Sequence, residues 1–123
     1  MESEMAVEAL LDYLEEHREV SESYVLLREI KAYLEVDHPD FYPCIRIKIY
    51  RTRLNGQDWF HFELSHNVHT PEQAGPYYPS RTTEELETIA VDRAINATTT
   101  FIKAAIRAGH RPSDRWLVPN ERF

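Results

Sequence analysis

The chain lacks most of the residues that mark disulfide-bonded, nucleotide-binding or membrane proteins. Its only cysteine, Cys44, cannot form an internal disulfide and favours a reducing compartment. Its three glycines are too few for a glycine-rich phosphate loop. No apolar run approaches the roughly 20 residues that span a bilayer, and the acidic start Met1-Glu2-Ser3-Glu4 lacks the apolar core of a signal peptide. These absences predict a soluble cytoplasmic protein without a membrane segment.

The composition is otherwise that of an ordinary folded domain. The 123 residues are 42% hydrophobic and 28% charged, which predicts a single domain over residues 1–123. The net charge of −7 argues against general binding of polyanions, although it is compatible with a local basic patch.

The most informative stretch is an alternating pattern that runs from Cys44 to Val68 around Asn55-Gly56. Asn-Gly predicts a two-residue hairpin turn because both residues tolerate the positive φ of a type I′ turn. If Leu54 pairs with Gln57, the apolar residues of both strands share one face. This inner face would hold Ile45, Ile47, Ile49, Phe60, Phe62 and Leu64. A slip by one residue would destroy the agreement, so the hairpin and its register are predicted together.

Two helices are predicted before the hairpin. The first spans residues 4–17, and the second begins after Ser21 or Ser23 and ends near Val36. The run Tyr24-Val25-Leu26-Leu27 alone would also fit a strand, but the residues after it favour a helix. The buried stripe of the second helix would consist of Tyr24, Leu27, Ile30 and Leu34.

A long helix is predicted after the hairpin. It begins at Thr82, which has capping-box spacing from Glu85, and ends at Ala108, with Gly109 in the C′ position. Two apolar stripes run along this helix, and the hairpin can cover only one of them. The second stripe consists of Val91, Ile95, Ile102 and Ile106. Its partner would be the first two helices or another copy of the protein.

The predicted elements follow the order α-α-β-β-α, and Trp116-Leu117-Val118 would add a short edge strand or cover the open end of the core. Because a hairpin must bury its apolar face on helices, we predict a two-layer α+β domain with the hairpin packed on the long C-terminal helix. The hairpin, the loop after it and the Thr-capped Glu84-Glu85 helix resemble the architecture of HicB-type antitoxins over less than half of the chain. The third-strand pattern of that family is absent, so no residue role is taken from it.

The densest group of possible metal ligands lies near the end of the hairpin. It consists of His61, Glu63, His66 and His69. The predicted register places His61 and Glu63 on the outer face and His66 on the inner face, so we predict no metal or other cofactor. Cys44 at a strand start is more typical of a small buried residue than of a nucleophile, and no catalytic residue is predicted.

The outer face of the predicted hairpin mixes cations with flat rings. Such a face is typical of platforms for single-stranded nucleic acid, where bases stack on rings and cations contact phosphates. Its residues would be most of the set Arg46, Lys48, Tyr50, Arg51, Arg53, Trp59 and His61. Asp58, Glu63 and the net charge oppose this interpretation, and ordinary cross-strand pairs explain the same residues.

The proline-rich loop from His69 to Pro79 is the other candidate surface, because tyrosine and arginine anchor many protein interfaces. Such rings also close the ends of small cores. The favoured function is a non-enzymatic protein-interaction or regulatory module that acts as a homodimer. Single-strand nucleic-acid binding and, below it, a metal- or cysteine-dependent enzyme are the alternatives. The candidate interaction surface comprises Arg46, Lys48, Tyr50, Trp59, His61, Tyr77, Tyr78 and Arg81.

Overall fold

The computed structural model of the protein describes residues 6–123 as two helices and a set of antiparallel strands. The elements are α1 (Val7–Glu16), β1 (Val25–Tyr33), β2 (Cys44–Leu54), β3 (Gln57–Leu64), β4 (His66–Val68), β5 (Thr83–Glu84), α2 (Glu87–Arg107) and β6 (Leu117–Pro119). One sheet has the order β1-β2-β3-β5, and β4 pairs with β6 in a second sheet. The α+β class and the long C-terminal helix are confirmed. The first helix is observed as α1, and residues 4 and 5 of its predicted span lie outside the described residues.

The hairpin has the predicted register. Asn55 has a φ of 52° and Gly56 a φ of 76°, which are the left-handed values that a type I′ turn requires. The chain leaves β3 after Leu64 and continues as β4, so the second strand is shorter than the predicted run. The pairs that define the register include Leu54–Gln57, Ile49–Phe62 and Ile47–Leu64.

The prediction of a second helix is wrong, because residues of this segment form β1, an edge strand that pairs antiparallel with β2. A β-bulge between Leu26 and Arg28 adds one residue, and both Leu27 and Ile30 then pack against the core. Apolar residues three apart on one face imitate a helical stripe. Pairing with β2 supplies hydrogen bonds along the segment, which outweighs the weak helix propensity of its charged residues.

Both helices lie on the inner face of the four-stranded sheet. The small side chains of α2 let it approach the sheet closely, and Ala90, Ala94 and Ala105 are fully buried. Ile102 of the second predicted stripe also belongs to the core. The rest of that stripe is only partly buried and consists of Val91, Ile95 and Ile106. Part of the second stripe of α2 therefore remains at the surface.

Ion pairs hold α1 against the hairpin. Arg51 and Arg53 lie at the turn end of β2 and bind Glu8 and Asp12 of α1. Both arginines also bind Asp58 of β3, and hydrogen bonds from Arg53 and Arg51 hold the pKa of that carboxyl below its ordinary value. The side chain of Arg53 is only 9% exposed. These arginines therefore serve the packing of α1.

The long helix begins at Glu87 instead of Thr82, so the predicted capping box is wrong. Thr83 and Glu84 pair with β3 as strand β5, and the carboxylate of Glu84 is buried. Strand pairing and burial outweigh a local cap, which contributes only about 1 kcal/mol. The predicted C-terminal end of α2 is confirmed, because Gly109 follows the helix in the C′ position with a φ of 93°.

The C-terminal tail is ordered, as predicted. Trp116 is 6% exposed, and its ring centroid lies 6.4 Å from that of Phe41. The next residues form β6 against β4. The side-chain amide of Asn120 donates to the carbonyl oxygen of Leu64 at 2.8 Å. The tail therefore covers one end of the core and contributes a short strand.

Candidate interaction surface

The predicted hairpin residues of the interaction surface share the outer face of the sheet, which is the side opposite the helices. The register of β2 and β3 places on it Arg46, Lys48, Tyr50, Trp59 and His61. Arg51 and Arg53 are not part of this face, since they alternate with it and bind carboxylates of α1. The outer face therefore holds five of the seven residues considered, and Arg46 and Lys48 are the cations among them.

Three rings form a cluster on the outer face. They belong to Tyr24, Tyr50 and His61, and their centroids lie between 5.4 and 6.5 Å apart. Rings at these distances are in contact, so the cluster is a filled patch and leaves no space for a ligand between them. Burial, followed by the nearby carboxylate of Glu63, raises the pKa of Tyr50.

Both outer-face cations of β2 have partners in the protein. Arg46 binds Glu29 of β1, with Nε and Nη2 at 2.8 and 2.7 Å from the same oxygen, Oε2. The Nζ atom of Lys48 lies 4.2 Å from the ring centroid of Phe123, a cation–π contact with the tail. A phosphate group would have to compete with these contacts.

His61 should make the stability of the fold depend on pH. Burial holds the pKa of His61, and that of His66, below the ordinary value of 6.5 because the charged ring loses hydration. As the pH falls through about 6.5, the unfolded chain binds more protons than the folded one, so stability is lost down to the lowered pKa. We expect the melting temperature, followed by circular dichroism, to fall over this window and to fall less in His61→Gln. An equally steep fall in the variant would contradict the role of His61.

The candidate metal ligands do not converge. The histidines instead contact neighbouring polar groups: His61 contacts Thr82, His66 contacts Ser65, and His69 contacts the main chain of Gln73. Within residues 6–123, no group of three or more His, Cys, Asp or Glu side chains is placed to hold a metal ion. Cys44 is a free thiol that is partly exposed at the start of β2, in contrast to the buried position that is typical of such a residue.

The loop residues of the predicted surface line three different clefts. Tyr78 is 67% exposed and lines a cleft of about 770 Å³ beside β3, to which His61 also contributes. Tyr77 packs on Phe101 of α2 with ring centroids 4.7 Å apart. Together with Arg81 it lines a cleft of about 300 Å³ between the loop and α2. Arg81 also lines a cleft of about 350 Å³ with Tyr24 and Trp59 of the outer face. Tyr78 therefore lies beside the hairpin and Tyr77 beside the helix, whereas Arg81 borders both.

Sequence reasoning missed the free edge of β1, because it assigned this segment to a helix. β1 is the end strand of its sheet, so within the described chain one side of its main chain is unpaired. Leu26 and Tyr33 on this strand are 49% and 67% exposed. The signal in the sequence was the alternation of charged and apolar residues from Glu29 to Ala32.

Comparisons of the chain with models of protein families, with curated proteins and with solved structures found no match. Among the residues that the structure describes, no helix is long and apolar enough to cross a bilayer. The geometry of the surfaces is therefore the basis on which a function is proposed below.

Proposed function

We propose that the protein is a protein-interaction module that acts as a homodimer, and that two copies join through the free edge of β1. The observation that carries this proposal is the self-complementary charge pattern of the edge, where Glu29 and Lys31 flank Ile30. An unpaired strand edge offers N–H and C=O groups to a second strand. With nine residues, β1 is long enough for such a ladder.

The hydrogen bonds of the sheet determine which groups of β1 point outward. The N–H of Ser65 donates to the carbonyl oxygen of Arg46, so the even-numbered residues of β2 bond to β3 and the odd-numbered residues to β1. Ile47 and Ile45, which pair with Ile30 and Ala32, therefore bond to β1. The outward-pointing main-chain groups belong to Glu29, Lys31 and Tyr33.

Charge favours one of the three two-fold antiparallel registers that are centred on Glu29, Ile30 or Lys31. A ladder centred on Glu29 or on Lys31 would place that residue opposite itself, and like charges in direct opposition are unfavourable. A ladder centred on Ile30 places Glu29 opposite Lys31 of the second copy, and symmetry makes this contact twice. Only the last of these registers satisfies both the outward hydrogen bonds and the charges.

The side chains around this axis can contact a second copy. Arg46 engages only Oε2 of Glu29, so Oε1 is available for Lys31 of the second copy. Ile30 would meet Ile30 of the second copy on the inner face, as a closely spaced pair without mutual hydrogen bonds. Ile30 and Ala32 are only partly buried in one copy, and pairing would bury more of both.

The proposed axis also has a consequence for the arrangement of the two α2 helices. The side chain of Arg28 on β1 reaches Glu87 at the start of α2, with Nε 3.0 Å from Oε1, while α2 itself packs over β2 and β3. A two-fold axis perpendicular to the sheet would put both α2 helices on the same side of the joined sheet. The partly buried residues Val91 and Ile95 lie on that side.

Reversing one charge of the edge should weaken the dimer. In the parent dimer, each of the two Glu29–Lys31 contacts would contribute about 0.2–1 kcal/mol. Lys31→Glu would replace both contacts by two carboxylates that lie opposite each other. We expect the dimer dissociation constant to rise roughly tenfold. Analytical ultracentrifugation over a range of protein concentrations measures it directly.

The matched control is the double variant Glu29→Lys/Lys31→Glu, which restores opposite charges in the same register. It should recover most of the lost affinity, although Glu29 also contacts Arg46 within one copy. A protein that is monomeric at every concentration would end the proposal. A dimer whose dissociation constant does not change in Lys31→Glu would place the interface elsewhere.

Binding of single-stranded nucleic acid by the outer face is the second candidate. Tyr50, Trp59 and His61 lie together on this face and are partly exposed. The contacts of Arg46 and Lys48 within the protein weaken this candidate. Fluorescence-anisotropy titration with mixed oligonucleotides at low salt tests it, because phosphate contacts are strongest there. Absence of binding under these conditions would reject it.

A further inference from the structure

We propose that the cleft between α2 and the proline-rich loop binds a small aromatic anion, such as an aryl carboxylate or an aryl phosphate. This inference does not depend on the dimer. The cleft has a volume of about 300 Å³ and is lined by residues from the loop and from successive turns of α2. Its two charged groups are Arg81 and Arg93, and both are cations. The cleft is thus locally positive in a protein with a net charge of −7.

A buried carboxylate holds the two guanidinium groups in place. The side chain of Glu84 is 5% exposed, and its Oε1 lies 3.0 Å from Nε of Arg81 and in contact with Nε of Arg93. No hydrogen bond between described residues reaches Oε1 with good geometry. The two arginines and Glu84 together carry one positive charge, so their charges are not fully balanced.

The arginines retain donors for a ligand. The Nε group of Arg93 faces Oε1 of Glu84, and none of the hydrogen bonds found between described residues uses the Nη groups of Arg93. Arg81 donates from Nη2 to Oε2 of Glu84 at 3.3 Å, and none of these hydrogen bonds uses its Nη1 group. The side chains of Arg81 and Arg93 are 62% and 49% exposed, which leaves their outer parts accessible. Planar guanidinium groups with free Nη donors bind carboxylate and phosphate oxygens, often with two hydrogen bonds.

The remaining walls of the cleft indicate which anion would fit. The rings of Tyr77 and Phe101 lie in contact on one wall, with centroids 4.7 Å apart. Thr100 adds an exposed hydroxyl from α2. A flat ring against the aromatic wall and an oxyanion at the arginines would use both features at once. The small volume favours one ring over a larger ligand.

Titration with phenyl phosphate, benzoate and inorganic phosphate, followed by amide chemical shifts in nuclear magnetic resonance, tests the site. We expect saturable shifts around Arg93 and Thr100 with phenyl phosphate or benzoate, and weaker binding of inorganic phosphate, which lacks the ring. Arg93→Gln should weaken binding about tenfold because a charged hydrogen-bond donor is lost. Arg107→Gln, on the same helix but outside the cleft, should bind like the parent.

Glu84→Gln distinguishes a ligand site from a purely structural ion pair. The amide oxygen of Gln can still accept from both guanidinium groups, but the competing negative charge is lost, so the anion should bind more tightly in this variant if it folds. Thr100→Val, which does not touch Glu84, should weaken binding by a smaller factor and remains informative if Glu84→Gln unfolds. The proposal would be overturned if no saturable binding were found. It would also be overturned if Arg93→Gln and Arg107→Gln lost the same affinity, or if neutral benzamide bound as tightly as benzoate.

Discussion

Phe62→Ala should lower the free energy of unfolding by about 3–5 kcal/mol, because it removes a large buried ring and leaves a cavity. Phe62 is 2% exposed and belongs to the core between β3 and α2. Since native stability is usually about 5–15 kcal/mol, the variant should be close to unfolding at moderate temperature. Urea denaturation followed by tryptophan fluorescence measures the change.

Phe60→Ala is the matched control, since Phe60 has the same side chain on the same strand and face but is only partly buried. Phe60→Ala should lower the free energy of unfolding by clearly less, because less apolar surface leaves water at this position on folding. If Phe60→Ala were as destabilising as Phe62→Ala, the centre of the core would lie nearer the hairpin turn than the structure places it.

Gly56→Val should lower the free energy of unfolding by about 1–2 kcal/mol or more, because a β-branched residue is strained at positive φ. A steric clash of the new Cβ atom is not the cause, since a Cβ atom at Gly56 would meet nothing within 4 Å. The main-chain N–H of Gly56 also donates to Glu15 of α1 at 3.0 Å, so a distorted turn would loosen that helix. Thermal melting by circular dichroism measures the loss.

Two controls separate backbone strain from other effects of substitution. Gly75→Val also adds a side chain at a position where a Cβ atom would meet nothing within 4 Å. Because Gly75 has no positive φ, the stability of the protein should change little in this variant. Asn55→Gly keeps the left-handed conformation of the turn and should cost far less than Gly56→Val. Parent-like melting of Gly56→Val would show that the turn does not require its observed conformation.

The candidate surface could be predicted only where it lay on the hairpin. Tyr50 and His61 were placed opposite each other because strand residues alternate strictly and Asn55-Gly56 defines the register. The cleft with Arg93 could not be predicted, because it depends on how the proline-rich loop packs on α2. The open edge of β1 was missed because a bulge conceals the strand period in the sequence.

Local patterns in the sequence alone determined the hairpin, its register and the helical character of α2, since each depends on neighbours within a few residues or across a two-residue turn. Tertiary structure decided that the segment from Val25 to Tyr33 is a strand and that Thr83 and Glu84 pair with β3. It also decided that Arg51, which the register places on the inner face, binds a carboxylate of α1. In each of these cases, hydrogen bonds or ion pairs with residues distant in sequence outweigh the weak local preference of the segment.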